Sequence, residues 1–256
     1  MAREDIAIQT RDGSCRASVF RPSQTAGGPW SPVLMYMDGV GFRPALFGMA
    51  QRIADAGYLV LLPDLFYRAG PYEAADAKVL FADPAARQAW AKVAGSATIA
   101  NVMSDTAAYL DWLAACPDAR QTRVGTTGYC MGGRFSLAAV GHYPERIAAA
   151  ASFHGGNLAN DAADSPHLLA PRMIGSKIYA ACAVEDPTCP DDMKRRLADA
   201  LAAAGVDHRV ETYEGLRHGW VPPDTPVHSP DGSERHFRAL FDLFGSALRD
   251  GQAASS

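Results

Sequence analysis

The chain has 256 residues, with 24 Lys and Arg against 28 Asp and Glu, for a formal net charge of −4. That mild acidity, without any Lys/Arg cluster, argues against a nucleic-acid surface, and no apolar run is long enough to span a bilayer. Five cysteines (15, 116, 130, 182 and 189) form an odd, widely spaced set with no Cys-x-x-Cys, which fits free thiols in a reducing cytoplasm better than a disulfide framework. The N-terminal Met-Ala-Arg-Glu-Asp carries no apolar signal region. With 48% hydrophobic residues the chain holds enough apolar surface for a full core, and we read residues 1–250 as one domain with a frayed tail at 251–256.

An antiparallel hairpin is expected first: residues 6–10, a turn at Asp12-Gly13, then residues 15–20. Strands and helices alternate after it. Strands are expected at 32–38, 58–63, 122–128, 147–154, 177–183 and 209–213. Most are nearly continuous apolar runs, as strands covered on both faces should be. Helical stripes run through Leu46, Met49, Ala50 and Ile53, then Ile99, Met103, Thr106, Leu110 and Leu113. A third, Met193, Leu197 and Leu201, is opened by Thr188-x-x-Asp191 with Pro190 in the first turn and closed by Gly205. Phe237, Leu240, Phe241, Phe244 and Leu248 make the last helix. This alternation predicts an α/β fold, a mostly parallel sheet with helices on both faces and its chemistry at the carboxyl ends of the strands.

One of those ends carries Gly128-Tyr129-Cys130-Met131-Gly132-Gly133, between an expected strand and a helix-like run. A nucleophile at a sharp strand-to-helix turn needs a strained backbone and small neighbours, and the spacing matches the Gly-x-nucleophile-x-Gly elbow of an α/β-hydrolase. Cys130 is therefore the candidate nucleophile; the other four cysteines lack this context and read as buried hydrophobes. The elbow's chain order is nucleophile, acid, histidine. His218 lies on the loop beyond the last strand and is the candidate base. The acid should follow strand 177–183, at Asp186 or Glu185; Asp186, beside a proline and with the shorter side chain, is favoured. His154 also ends a strand on this side but precedes the acid, so it is expected to line the pocket. The Met131 N–H and one near Met37 are the candidate oxyanion donors. No Gly-Lys-Ser/Thr follows Gly133 and no Gly-x-Gly-x-x-Gly occurs, which argues against a nucleotide site.

The pieces Met37-Asp-Gly-Val40, the run from Gly57 to Arg68, Gly128 to Gly133, Val184-Glu-Asp186 and Leu216-Arg-His-Gly219 together resemble the dienelactone hydrolase family. The resemblance implies an α/β-hydrolase with a Cys130-Asp186-His218 triad, backbone donors at Met37 and Met131, and no metal or organic cofactor. It implies a small-molecule ester or lactone as partner, cleaved through a thioester; a monomer or homodimer is expected. Two positions depart from the family. Its glutamate before the first oxyanion donor is Tyr36 here, with Asp38 on the same side only if the strand continues. Its arginine four residues after the histidine is Pro222, and Arg87 is the loose match to another substrate-binding arginine. Tyr36, Asp38, Tyr129, His154 and Trp220 are expected around the pocket, with segment 66–94 opposite, contributing Tyr67, Tyr72 and Trp90. A non-catalytic or redox-sensing ligand-binding protein on the same scaffold is the alternative, and acyl transfer to an acceptor other than water stands beside hydrolysis.

Overall fold

The computed structural model describes residues 3–24 and 27–248, so the expectation for the 251–256 tail lies outside the described residues. Eight strands form one sheet: β1 (Arg3–Thr10), β2 (Gly13–Phe20), β3 (Ser31–Tyr36), β4 (Tyr58–Pro63), β5 (Val124–Tyr129), β6 (Ile147–Phe153), β7 (Lys177–Cys182) and β8 (Asp207–Thr212). Their order is β1-β2-β4-β3-β5-β6-β7-β8. β2 runs antiparallel to both β1 and β4, and every other pairing is parallel. The expected hairpin and mostly parallel sheet are both present, in the arrangement of an α/β-hydrolase. β3, β4, β5 and β6 are buried along their whole length, which explains their unbroken apolar character. β8 closes the sheet with Asp207, Arg209 and Glu211, charges that protect a free edge from pairing with another chain.

Helices are α1 (Pro44–Asp55), α2 (Ala77–Ala82), α3 (Pro84–Ala94), α4 (Ile99–Ala115), α5 (Met131–His142), α6 (Asp191–Ala203) and α7 (Pro230–Ala247). Consecutive strand residues show that both faces are covered. A Cβ on Gly125 would strike Phe244 of α7 at 2.8 Å, while the next residue, Thr126, hydrogen-bonds Ser136 of α5 at 2.8 Å. Glycine at 125 thus lets α7 lie close against the sheet. No helix of the described residues is long and apolar enough to cross a membrane.

Two helices fall outside the sequence expectations, and one expected helix start needs correction. α2 and α3 carry no long apolar stripe because they pack on a small separate cluster around Val40, Ala77 and Leu80. They start instead on side-chain caps, Asp76 accepting from the Lys78 N–H and Asp83 from the Ala85 N–H, with Pro84 opening α3. Thr188 does not cap α6, whose N-cap is Pro190; Thr188 turns back toward Asp186.

Candidate active site

Cys130 follows the last residue of β5 and caps α5 with φ 53° and ψ −116°, a backbone conformation costly for a side chain bearing a Cβ. Its close surroundings tolerate only glycine. A Cβ on Gly128 would lie 2.0 Å from the Gly132 carbonyl oxygen, and one on Gly132 would lie 2.4 Å from the Tyr36 carbonyl oxygen. A Cβ on Gly133 would meet Ser152 Oγ at 2.4 Å. These contacts press α5 against the ends of β3 and β6 and fix where the sulfur stands. Cys130 is partly exposed, while the other four cysteines are buried. Cys182 and Cys189 face each other at 4.0 Å and, like Cys15 and Cys116, do not line the cavity that holds Cys130.

His218 sits on the loop after β8 and lines the same cavity as Cys130, where each acts on the other's ionisation. Its Nδ1–H donates to Asp186 Oδ2 at 2.6 Å. The Asp186 side chain is fully buried at the end of β7, and its Oδ1 accepts from the Thr188 N–H at 2.8 Å and the Thr188 hydroxyl at 2.7 Å. With three donors in place, the carboxylate can turn neither toward solvent nor away from the ring. Glu185, the other acid considered, has φ 47° and an exposed side chain. Thr188 is a residue that sequence reasoning missed in this role; its position two after the aspartate, in an Asx-type turn, was the available signal.

Burial opposes ionisation of Cys130, but the charge and hydrogen bond of His218 outweigh it, helped by the Gly39 N–H, and hold the thiol below its ordinary value. Asp38 acts in the opposite direction. Burial also opposes charge on His218, yet Cys130 and Asp186 raise it to about 10. Burial alone would raise Asp186; its hydrogen bonds to His218 and Thr188 hold it low instead. The three groups favour a thiolate–imidazolium pair backed by a carboxylate. Cys130 is also the N-cap residue of a 12-residue helix, whose positive end favours negative charge there.

His154 is buried, and its Nδ1 accepts the Cys130 N–H at 3.1 Å, so its proton is on Nε2. Burial, together with nearby His218 and His236, keeps it neutral. Both it and Asp38 line the cavity that holds Cys130. Asp38 is not free to act as a base. β3 ends at Tyr36, the chain turns, and the Asp38 carboxylate is held by Arg43 at 2.6 and 2.9 Å and by the Val40 N–H at 3.0 Å.

Three expected pocket residues point elsewhere. Tyr36 is fully buried, with its hydroxyl 2.8 Å from Thr106 of α4. Tyr129 is fully buried on the opposite face, its hydroxyl 2.9 Å from His236 Nε2 of α7. Trp220 is fully buried behind His154, stacked on Tyr213 with ring centroids 5.2 Å apart. In each case a large ring fills the core next to the elbow, where strand alternation or the loop's path directs it away from the cavity.

The cavity itself encloses about 460 Å³. Cys130, His154, His218, Asp38 and Gly39 form its floor, and Leu80, Phe81, Arg87, Trp90, Ala91 and Ala94 form the facing wall. Segment 66–94 is thus the opposite wall, but through α2 and α3. Trp90 is in it, donating from Nε1 to the Gly39 carbonyl at 2.7 Å. Tyr72 instead hydrogen-bonds Asp64, and Tyr67 reaches Asp105 at 3.0 Å. Arg87 joins the wall, with one Nη bound to the carbonyls of Leu80 and Phe81 at 2.8 and 3.1 Å. Phe81 and His218 also border a second, outer cavity of about 820 Å³. Among the described residues no group of three or more His, Cys, Asp or Glu side chains is placed to hold a metal ion.

The dienelactone hydrolase family profile matches residues 15–248. A candidate carboxymethylenebutenolidase of Synechocystis sp. is 23% identical over 228 residues, 88% of this chain and 89% of the relative. One of Escherichia coli K12 is 24% identical over 241 residues, 93% of this chain and 84% of the relative. Among solved structures, a candidate dienelactone hydrolase of Klebsiella pneumoniae superposes with a TM-score of 0.80 at 21% identity, covering 95% of this chain and 98% of its own. The dienelactone hydrolase-like promiscuous phosphotriesterase P91, from metagenomic libraries, superposes with a TM-score of 0.75 at 22% identity, covering 97% and 100%. These superpositions support the fold, and the profile covers nearly the whole described chain. The chain belongs to the dienelactone hydrolase family, and so to the hydrolases that act on esters and lactones.

Proposed function

We propose that this protein hydrolyses a small ester or lactone with Cys130 as nucleophile, His218 as base and Asp186 as the orienting acid. The observation that carries the reading is the line Cys130–His218–Asp186, closed at 2.6 Å between His218 and a carboxylate held by Thr188. His218 Nε2 takes the thiol proton, and the Nδ1–H to Asp186 keeps that nitrogen free to accept it. The thiolate adds to the carbonyl carbon, and the oxyanion is received by the N–H groups of Met131 and Met37. Each such donor is worth about 3 kcal/mol of barrier. The intermediate collapses to a thioester as the imidazolium gives its proton to the departing alkoxide. In a lactone that alkoxide stays tethered to the acyl chain. Water then attacks the thioester, with His218 taking its proton, and the carboxylic acid leaves as the thiol reforms.

The cavity wall supports a small substrate with apolar bulk: Leu80, Phe81, Trp90, Ala91 and Ala94 face the sulfur across about 460 Å³. Thiolates displace good leaving groups most readily, so enol lactones and aryl esters are the expected substrates, with amides poor. A panel of lactones and p-nitrophenyl esters, run with wild type and Cys130→Ala side by side, tests this. Wild type should turn over and the variant should not. Equal rates in the two would remove the assignment. By the same reading the protein acts in a reducing cytoplasm, as a monomer or homodimer, on a small-molecule partner.

A further inference from the structure

Arg43, just before α1, is among the most deeply buried cations of the structure, and nothing in the triad accounts for it. Its guanidinium binds two carboxylates from loops far apart in sequence. Nη1 and Nη2 donate to the two oxygens of Asp38 at 2.6 and 2.9 Å. Nε and Nη2 donate to the two oxygens of Asp224 at 2.6 and 3.0 Å. Nη1 also reaches the Gly41 carbonyl at 3.2 Å. Both sides are therefore bidentate, the geometry in which arginine holds carboxylates most rigidly.

The two loops matter. Asp38 lies between Met37 and Gly39, and the Gly39 N–H faces the thiol. Asp224 lies in segment 219–226, which follows His218 and is stiffened by Pro222, Pro223 and Pro226. Within it, Thr225 donates to the Gly219 carbonyl at 2.8 Å. The clasp also sets a charge. Asp38 is buried on the cavity floor beside Cys130, where a bare carboxylate would oppose a thiolate.

We propose that Arg43 is a positioning residue for the reaction: it locks the oxyanion-donor loop to the His218 loop and cancels the Asp38 charge that would otherwise disfavour the Cys130 thiolate. This inference rests on Cys130 being the nucleophile. The charged and titratable groups facing the sulfur are His218 (backed by Asp186), Asp38, Arg134 of α5, Arg87 of the facing wall, and His154 through the Cys130 N–H. Of these only Asp38 changes its effective charge when Arg43 is replaced.

The test measures two quantities on four variants: the pH midpoint of Cys130 alkylation by iodoacetamide, followed by peptide mass, and kcat and KM for a p-nitrophenyl ester. Arg43→Met should raise the midpoint by about one pH unit and lower kcat at least tenfold. Arg43→Met with Asp38→Asn should return the midpoint to the wild-type value, which a merely structural role would not do. Arg43→Lys keeps the charge but cannot bridge both carboxylates in bidentate fashion, so its midpoint should hold while kcat falls. Asp224→Asn releases only the second loop and should likewise lower kcat severalfold at constant midpoint. If Arg43→Met does not fold, the lysine and Asp224 variants decide: wild-type kcat in both overturns the proposal. An unshifted midpoint in folded Arg43→Met, or no recovery in the double variant, also overturns it. Full hydrolysis by Cys130→Ala would instead remove the nucleophile reading itself, so the two failures are distinguishable.

Discussion

Replacing Asp186 by Asn changes no volume and asks one electrostatic question. The native carboxylate accepts three hydrogen bonds, from His218 Nδ1 at 2.6 Å and from the Thr188 N–H and hydroxyl at 2.8 and 2.7 Å. An amide has only one acceptor oxygen. With that oxygen toward Thr188, its NH₂ faces His218 and forces the ring into the tautomer with a proton on Nε2, which cannot accept the thiol proton. With the oxygen toward His218, its NH₂ collides with the Thr188 N–H. Charge is lost in both cases. At an effective dielectric of about 20, a carboxylate about 4 Å from the imidazolium charge contributes about 4 kcal/mol, or about three decades in rate at 1.4 kcal/mol per decade. We expect kcat/KM for a p-nitrophenyl ester to fall about a thousandfold in Asp186→Asn, with KM changed little. Glu185→Gln, at an exposed neighbour, should stay within twofold. A tenfold or smaller loss in Asp186→Asn, or equal losses in the two variants, would refute the assignment of the acid.

Other expected outcomes follow from the same geometry. Gly132→Ala places a Cβ 2.4 Å from the Tyr36 carbonyl oxygen, so the elbow must shift by about 1 Å, a displacement that costs on the order of a hundredfold in kcat; activity within twofold of wild type would contradict the packing described. Alkylation of Cys130 should show a midpoint below the ordinary thiol value of about 8.5, and His218→Asn should move it upward; an identical profile in the variant would show that His218 does not sustain the thiolate. Burial holds His236 neutral, with its pKa lowered to about 3. A depressed histidine contributes stability that is complete above its unfolded value near 6.5 and lost as pH falls toward 3. Denaturant melts from pH 7 to 4 should therefore show falling stability, with a shallower slope in His236→Gln; equal slopes would contradict that role.

The parts legible in the sequence are those set by local physics. Buried parallel strands need unbroken apolar runs, so β3 to β7 were found within two residues of their observed ends. The glycines at 128 and 132 declare the elbow because no other residue fits there. What stayed hidden depends on contacts distant in sequence. Tyr36, Tyr129 and Trp220 adjoin site residues along the chain, but their rings go to Thr106, His236 and Tyr213. The partner of Arg43 at Asp224 is 181 positions away. The Leu80–Ala94 wall escaped because α2 and α3 bury too little surface to show a stripe, and only the caps at Asp76 and Asp83 marked them.

If acyl transfer passes through the Cys130 sulfur, the peptide that contains it carries the acyl group during turnover. Mixing the protein with a slowly hydrolysed aryl ester, quenching in acid within the first turnover and mapping peptides by mass tests it directly. One acyl group is expected on the peptide containing Cys130, formed with a burst of phenolate and absent from Cys130→Ala. Steady release of product with that peptide unmodified throughout, and undiminished in Cys130→Ala, would contradict it.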